Sequence, residues 1–471
     1  MAKEDERVTA FSKIIQTVSA ATPQKQPAKP VASSTSLSLN HLVKVCAKAM
    51  DLLEAKTPRA SFKTAVIAGS IAKIMQLPNR DVASIVYAAL LHDIGFARLT
   101  PEIVRHLPPN GSEKTLYQEH ALLNAKVISK PADQMQTDNL THFIQQHPLY
   151  AKPFVAALRL SSDVTALIES HHELCDGSGY PFGLSAEQIP LGAKILTFAD
   201  VVECILETIV KDASTLVSRK QALESFMEIK APGKFDPEVI QVFSSLITTN
   251  DDFLRLLHTL DVETMLDALL PQRDVALSED AVLSILTALS ESADATMAGY
   301  KDGRSKRVAT LAASLAQSIE IHPEQQGELY LAGLIMDIGH LATPAHILFQ
   351  PKQLSLEDKL SIYDHPRHTA EIFKGLPGFD NIILWASEHH ERLNGKGYPS
   401  QKRGSEISIG GRLLALADVY EALTHERPFR PYTYEAIDAL PVIGQGRQTL
   451  YDTELVGVLK SVIMNASLPG L

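Results

Sequence analysis

Two eleven-residue stretches hold much of the chain's reactive chemistry. His171-His172-Glu173-Leu174-Cys175-Asp176-Gly177-Ser178-Gly179-Tyr180-Pro181 recurs as His389-His390-Glu391-Arg392-Leu393-Asn394-Gly395-Lys396-Gly397-Tyr398-Pro399. A helix-like run after each ends in Ala-Asp, at Ala199-Asp200 and Ala417-Asp418, and both features recur at an interval of 218 residues. Upstream, His92-Asp93-Ile94-Gly95 pairs with Met336-Asp337-Ile338-Gly339. A lone histidine follows each, His120 at 27 residues after Asp93 and His365 at 28 after Asp337. Imidazole nitrogens and carboxylate oxygens together suit divalent first-row metals, and histidine also moves protons near neutral pH.

These groups sit on predicted apolar helix faces. Val164, Leu167, Ile168, His171 and His172 share one face at helical spacing, and Ile382, Trp385, Ala386, His389 and His390 repeat it. Ile85, Ala88, Ala89, His92 and Asp93 form a third such face, matched by Leu329, Ala332, Gly333, Met336 and Asp337. An apolar face that turns to His and Asp carries ionisable groups into the core. A carboxylate there costs several kcal/mol unless it is paired, hydrogen-bonded or bound to a metal. His92, Asp93, His120, His171, His172 and Asp200 therefore read as the metal set of the first copy. Asp337, His365, His389, His390 and Asp418 read as that of the second. The remaining histidines, His147 and His340 among them, have no such support and are expected mostly at the surface or in caps. Gly177 and Gly179 let backbone N–H groups approach a ligand closely, so the loop through Tyr180 reads as substrate-binding. Lys194 and Arg412, six residues before Asp200 and Asp418, either meet phosphate oxygens or lie on a solvated helix face.

The elements that must position these residues are helices. Apolar residues recur at helical spacing over long windows, and Gly and Pro cluster around the Gly-Tyr-Pro segments, which read as loops. The expectation is an all-α chain: a flexible tail over residues 1–40, rich in Ala, Pro, Ser and Thr, then one helical domain over 41–250 and a second copy over 275–471. With 471 residues, 45% hydrophobic and 21% charged, the composition is that of an ordinary globular chain. A net charge of −11 speaks against a broad basic face for long nucleic acid. Three scattered cysteines exclude a disulfide framework and fit a cytoplasmic setting. No run of about 20 apolar residues suggests a membrane span.

The ordered set His-Asp-Ile-Gly, lone His, His-His-Glu, Gly-x-Gly-Tyr-Pro and Ala-Asp resembles the HD-GYP family, a branch of the HD metal-dependent phosphohydrolases. Phe182-Gly183-Leu184, Ile189-Pro190 and Gly233-Lys234-Phe235-Asp236-Pro237-Glu238 extend the likeness in the first copy. Ala422-Leu423-Thr424 and Arg427-Pro428-Phe429-Arg430 extend it in the second. The resemblance implies helical bundles, two or three iron or manganese ions, of which two or fewer are expected here, and hydrolysis of cyclic di-GMP or cyclic GMP-AMP. It also implies, as a partner, a GGDEF-type diguanylate cyclase or another signalling protein. On that analogy His92, Asp93 and Asp200 hold one metal. Asp93, the principal catalytic residue with His92, bridges to a second metal held by His120, His171 and His172. The family's early histidine is replaced by Ala60 in the first copy and Arg304 in the second, and Phe96 and His340 stand where it has a lysine. Two readings follow: a phosphodiesterase whose first copy is catalytic and second regulatory, or an inactive tandem protein that binds a cyclic dinucleotide or another protein.

Overall fold

The computed structural model describes residues 37–54, 59–98, 134–212, 216–249, 251–257, 261–271, 275–297, 303–348, 354–426, 432–445 and 449–467. The expected tail lies almost wholly outside them. Among the described residues the chain is helical, with three isolated β-bridges and no longer strand. No described helix is long and apolar enough to cross a membrane. By its own contacts the chain divides into two compact units, Leu37–Ile285 with Pro344–His346, and Leu286–Thr343 with the residues from Ile347 on.

Six helices carry the site in the first unit: α1 (Leu39–Leu53), α2 (Ala60–Ile74), α3 (Asn79–Leu91), α4 (Gln134–Tyr150), α5 (Ser162–Glu169) and α6 (Leu191–Asp212). Helix α2 is Ala- and Ile-rich and buried on almost every side, so it forms the axis against which α3 and α6 pack. Ser38 caps α1, its hydroxyl accepting from His41 N. In the second unit the matching elements are α7 (Arg304–Ser318), α8 (Pro323–Ile335), α9 (His365–Phe373), α10 (Asp380–Glu388) and α11 (Ile409–Thr424). Here α7 packs on α8 and α11, and α10 on α8, α9 and α11. The central helix starts the same way in both units. Arg59 enters α2 at φ 70° and Gly303 enters α7 at φ 89°.

Two polar contacts fix the start of that helix. The backbone N–H and hydroxyl of Ser61 both donate to Asp51, at 3.0 and 2.6 Å. Ser305 donates in the same way to Asp294, at 3.0 and 2.7 Å. Each carboxylate is buried and holds two donors of the helix's first turn, which otherwise lack partners.

A short 3-10 turn follows the His-Asp or Met-Asp pair, at Ile94–Arg98 and Ile338–Ala342. Its glycine sits hard against the helix bearing the lone histidine. A Cβ on Gly95 would lie 1.9 Å from His147 O, and one on Gly339 would lie 1.9 Å from His365 O. Only a residue without a side chain lets Asp and His approach this closely. Gly95→Ala is expected to destabilise the first unit by at least about 2 kcal/mol, at the upper end of overpacking costs. Gly457→Ala, at an exposed helical position with open space around it, should be neutral or stabilising by about 0.5–1 kcal/mol. Calorimetric melting of the two variants checks both.

Candidate metal centre

At the end of α3 the chain places His92 and Asp93 in the core, both essentially without exposure. His92 Nδ1 donates to Ala89 O at 2.7 Å, because a carbonyl can only accept. His147, near the end of α4, donates likewise to Ile144 O at 2.6 Å, and His171 to Ile168 O at 2.6 Å. Each ring is thus pinned by the carbonyl three residues before it. With Nδ1 protonated, a neutral ring turns an unprotonated Nε2 into the site, the tautomer a metal needs.

Those Nε2 atoms converge on one carboxylate. His92 Nε2 lies 2.7 Å from Asp93 Oδ2 and 3.3 Å from Asp200 Oδ1, the latter supplied by α6. His147 Nε2 and His171 Nε2 lie 3.3 and 3.9 Å from the other oxygen, Asp93 Oδ1. One ligand atom from each of Asp93, His147, His171 and His172 falls within 4.8 Å of the others. His171 Nε2 is buried and has no hydrogen-bond partner. Burial, and then His147 and His92, hold the His171 imidazole well below its ordinary pKa. Burial also disfavours the charged form of His92, but Asp93 and Asp200 outweigh it and raise that group well above its ordinary value. Three histidines and one carboxylate, with an orphaned nitrogen among them, fit a divalent cation.

The second unit repeats half of this arrangement. His365 and His389 donate through Nδ1 to Ile362 O and Ala386 O, at 2.7 and 2.6 Å. Their Nε2 atoms face Asp337 Oδ1 at 3.4 and 3.6 Å. With His390 they form the second cluster whose ligand atoms lie within 4.8 Å of one another. The other Asp337 oxygen is bound by Arg304, whose guanidinium also reaches Asp418 Oδ1 at 2.5 Å. His390 Nδ1 lies 3.9 Å from Asp418 Oδ2.

The glycine-rich loop after each histidine pair is clamped by the glutamate of His-His-Glu. Glu173 accepts from Phe182 N and Leu184 N at 2.7 and 2.8 Å. Glu391 accepts from Ser400 N and Lys402 N at 2.6 and 3.0 Å. A Cβ on Gly179 would lie 2.4 Å from Leu174 N, so the loop folds flat onto the histidine turn. This brings Tyr180 over His172 and Tyr398 over His390, each with ring centroids 4.6 Å apart. Burial first, and then Asp93, Asp200 and Glu54, keep the Tyr180 phenol well above its ordinary pKa. It therefore remains a neutral hydroxyl. Gly177 is exposed on the loop at φ 74°. Lys194, one of the expected phosphate contacts, is paired with Asp236 at 3.0 Å, and Arg412 with Asp452 at 3.0 Å. The loop residues Tyr180 and Gly179 stand at the cluster. Lys194 is engaged in holding α6 to the segment around Asp236.

Two histidines depart from expectation. His120 lies outside the described residues. His147, expected at the surface or in a cap, is fully buried in the cluster. It lies 24 residues before His171, as His365 lies 24 before His389. Counting back from the histidine pair, rather than forward from Asp93, was the signal that finds it. The extra length of the first copy therefore falls before this histidine. His340, also expected at the surface or in a cap, is buried and stacks on His365 with centroids 3.8 Å apart. Phe96 stacks on His147 in the same place, at 4.1 Å. In each unit the ring that follows Ile-Gly thus covers one face of that histidine. His147→Ala should lower bound metal by about one ion per chain, whereas His142→Ala, on the exposed face of α4, should leave it unchanged. Elemental analysis of the two proteins decides, and equal metal content in both would refute His147 as a ligand.

A profile of the HD domain family matches residues 128–239 and 295–455. The chain is 26% identical over 452 residues to the 3′3′-cGAMP-specific phosphodiesterase 3 of Vibrio cholerae serotype O1, covering 90% of this chain and 94% of that protein. It is 30% identical over 242 residues to 3′3′-cGAMP-specific phosphodiesterase 1 of the same organism, covering 50% of this chain and 56% of that one. The cyclic di-GMP phosphodiesterase response regulator RpfG of Xanthomonas campestris pv. campestris is 32% identical over 168 residues, 34% of this chain and 44% of its own length. The crystal structure of a cyclic GMP-AMP specific phosphodiesterase of V. cholerae, V-cGAP3, shares the fold with a TM-score of 0.64 at 24% identity, over 91% of this chain and 98% of that one. Repeat, fold and profile agree, and the chain belongs to the HD-domain family as a tandem member of its HD-GYP branch.

Proposed function

We propose that the first unit hydrolyses a 3′3′-linked cyclic dinucleotide, cyclic GMP-AMP or cyclic di-GMP, at a two-metal centre around Asp93, and that the second unit regulates it. One observation carries this reading. The two oxygens of Asp93 face different ligand sets, His92 with Asp200 on one side and His147 with His171 on the other. A carboxylate so placed would be able to serve two cations, one from each oxygen. Divalent cations held there would polarise the phosphodiester and lower the pKa of a water that attacks phosphorus in line.

The chain's own residues hold and shield the site. Backbone carbonyls fix the three imidazoles, so their donor atoms need no reorientation on binding. Glu173 sets the loop, and Tyr180 roofs His172 with a neutral hydroxyl that can donate to a phosphate oxygen. Nitrogen-rich sets with one bridging carboxylate suit iron or manganese. The relatives' named substrates, 3′3′-cGAMP and cyclic di-GMP, support the substrate class. A net charge of −11 fits a dinucleotide held locally by metal rather than by a basic surface. In this reading the partner is a GGDEF-type diguanylate cyclase or another protein of the same signalling system.

A second reading, a silent binding module, is favoured by Ala60, buried with no donor where the family has a histidine, and by Phe96. One assay separates them: protein loaded with iron or manganese, its metal content measured and the release of linear dinucleotide followed from both substrates. The expected result is turnover that survives Asp337→Ala. In Asp93→Ala it should fall by more than the ~10–100-fold that outer-shell partners typically cost. Turnover lost in Asp337→Ala and kept in Asp93→Ala would place catalysis in the second unit. Absence of turnover with fewer than one ion per chain would leave the binding module.

A further inference from the structure

We propose that the Arg304 guanidinium holds the place of a divalent cation in the second unit, which therefore binds a single metal ion, at Asp337, His365, His389 and His390. The inference does not depend on which unit hydrolyses.

The repeat makes Asp337 and Asp418 the counterparts of Asp93 and Asp200. In the first unit the space between those two carboxylates is entered by His92 Nε2, at 2.7 and 3.3 Å. In the second unit Met336 stands in that register, and a thioether is a poor ligand beside hard carboxylates. The space is entered instead from α7. Arg304 Nη1 donates to Asp337 Oδ2, Nη2 to Asp418 Oδ1 at 2.5 Å, and Nε lies 3.5 Å from Glu421 Oε2. All four side chains are buried. Arg307 adds a second cation on Glu421, at 2.7 Å. A guanidinium keeps its charge in a protein, and its planar fork matches two carboxylates at once. It is a cation attached to the chain, so a metal could enter this position only by displacing it.

The other side of Asp337 is different. His365 Nε2 and His389 Nε2 lie 3.2 Å apart, and both rings already spend Nδ1–H on a backbone carbonyl. Two neutral rings so tautomerised turn lone pairs toward each other and toward Asp337 Oδ1. Such a contact calls for a cation between them, whereas the Arg304 guanidinium is bound to the other oxygen, Asp337 Oδ2. The second unit thus keeps one metal position and fills the other with protein. It lacks the paired-metal clamp on which in-line phosphoryl displacement at two-metal centres relies, which suits it to bind rather than to cleave.

The test counts metal in full-length Asp93→Ala/His171→Ala protein, whose first-unit cluster loses its shared carboxylate and one of its imidazoles, after saturation with Mn(II) and desalting. One ion per chain is expected. None, or two, would overturn the proposal. Adding His389→Ala should bring the count to zero, and an ion that persists would place it elsewhere. Adding Arg304→His, which removes the guanidinium and supplies an imidazole, should raise the count from one to two. An unchanged count in Arg304→His protein with wild-type circular dichroism would refute the role given to Arg304. If that variant does not fold, Arg304→Ala takes its place on the same criterion. Should neither fold, the count of one or otherwise in the Asp93→Ala/His171→Ala background stands as the decision.

Discussion

A carboxylate buried where helix ends meet, with imidazole nitrogens aimed at it, cannot stay without a positive partner. Asp93 and Asp337 are in this position, each almost fully enclosed. In a low-dielectric core an unpaired charge is too costly for a marginally stable domain. The surroundings of each aspartate answer that demand. Carbonyls three residues back hold the imidazoles in the tautomer that presents Nε2, and Gly95 and Gly339 permit the close approach of the lone-histidine helix. The central helix of each unit, anchored by Ser61 on Asp51 or Ser305 on Asp294, brings up whatever residue stands at its first position.

That first position separates the two units. In the first it is Ala60, which offers no donor and no charge and leaves the Asp93–Asp200 side to His92. In the second it is Arg304, which neutralises Asp337 and Asp418 directly. At this position the same backbone frame carries an uncharged residue in one copy and a guanidinium in the other. A tandem chain can diverge in this way without losing stability, because each carboxylate remains compensated.

The glycine-rich loop is as much a structural device as a binding one. Glu173 and Glu391 each accept two backbone N–H groups of the loop, and the third residue of the Gly-x-Gly unit lies against the histidine turn where no Cβ fits. The tyrosine is thereby laid over the second histidine of the pair. This couples the loop's shape to the imidazole beneath it, and explains why glutamate, glycine and tyrosine travel together in both copies.

Much of this was legible in the sequence. The repeat, the helical class, the apolar faces that turn to His and Asp, and the order of the motifs are one-dimensional patterns. They follow from helix periodicity and from the cost of burying charge. For the first cluster the sequence offered two lone histidines after Asp93, His120 and His147, and only the 24-residue interval to the histidine pair, shared with His365, pointed to the second. The packing of α4 on the turn at Gly95 puts His147 there. The sequence did not disclose that Lys194 would pair with Asp236, that Phe96 and His340 would stack on the lone histidines, or that Arg304 would bridge two aspartates 33 and 114 residues away. Residue type and spacing determined which chemistry the chain can hold. Partner choice among buried charges was decided by tertiary structure alone, because it depends on distances of 2.5 to 3.9 Å between helices far apart in the chain, which no local pattern encodes.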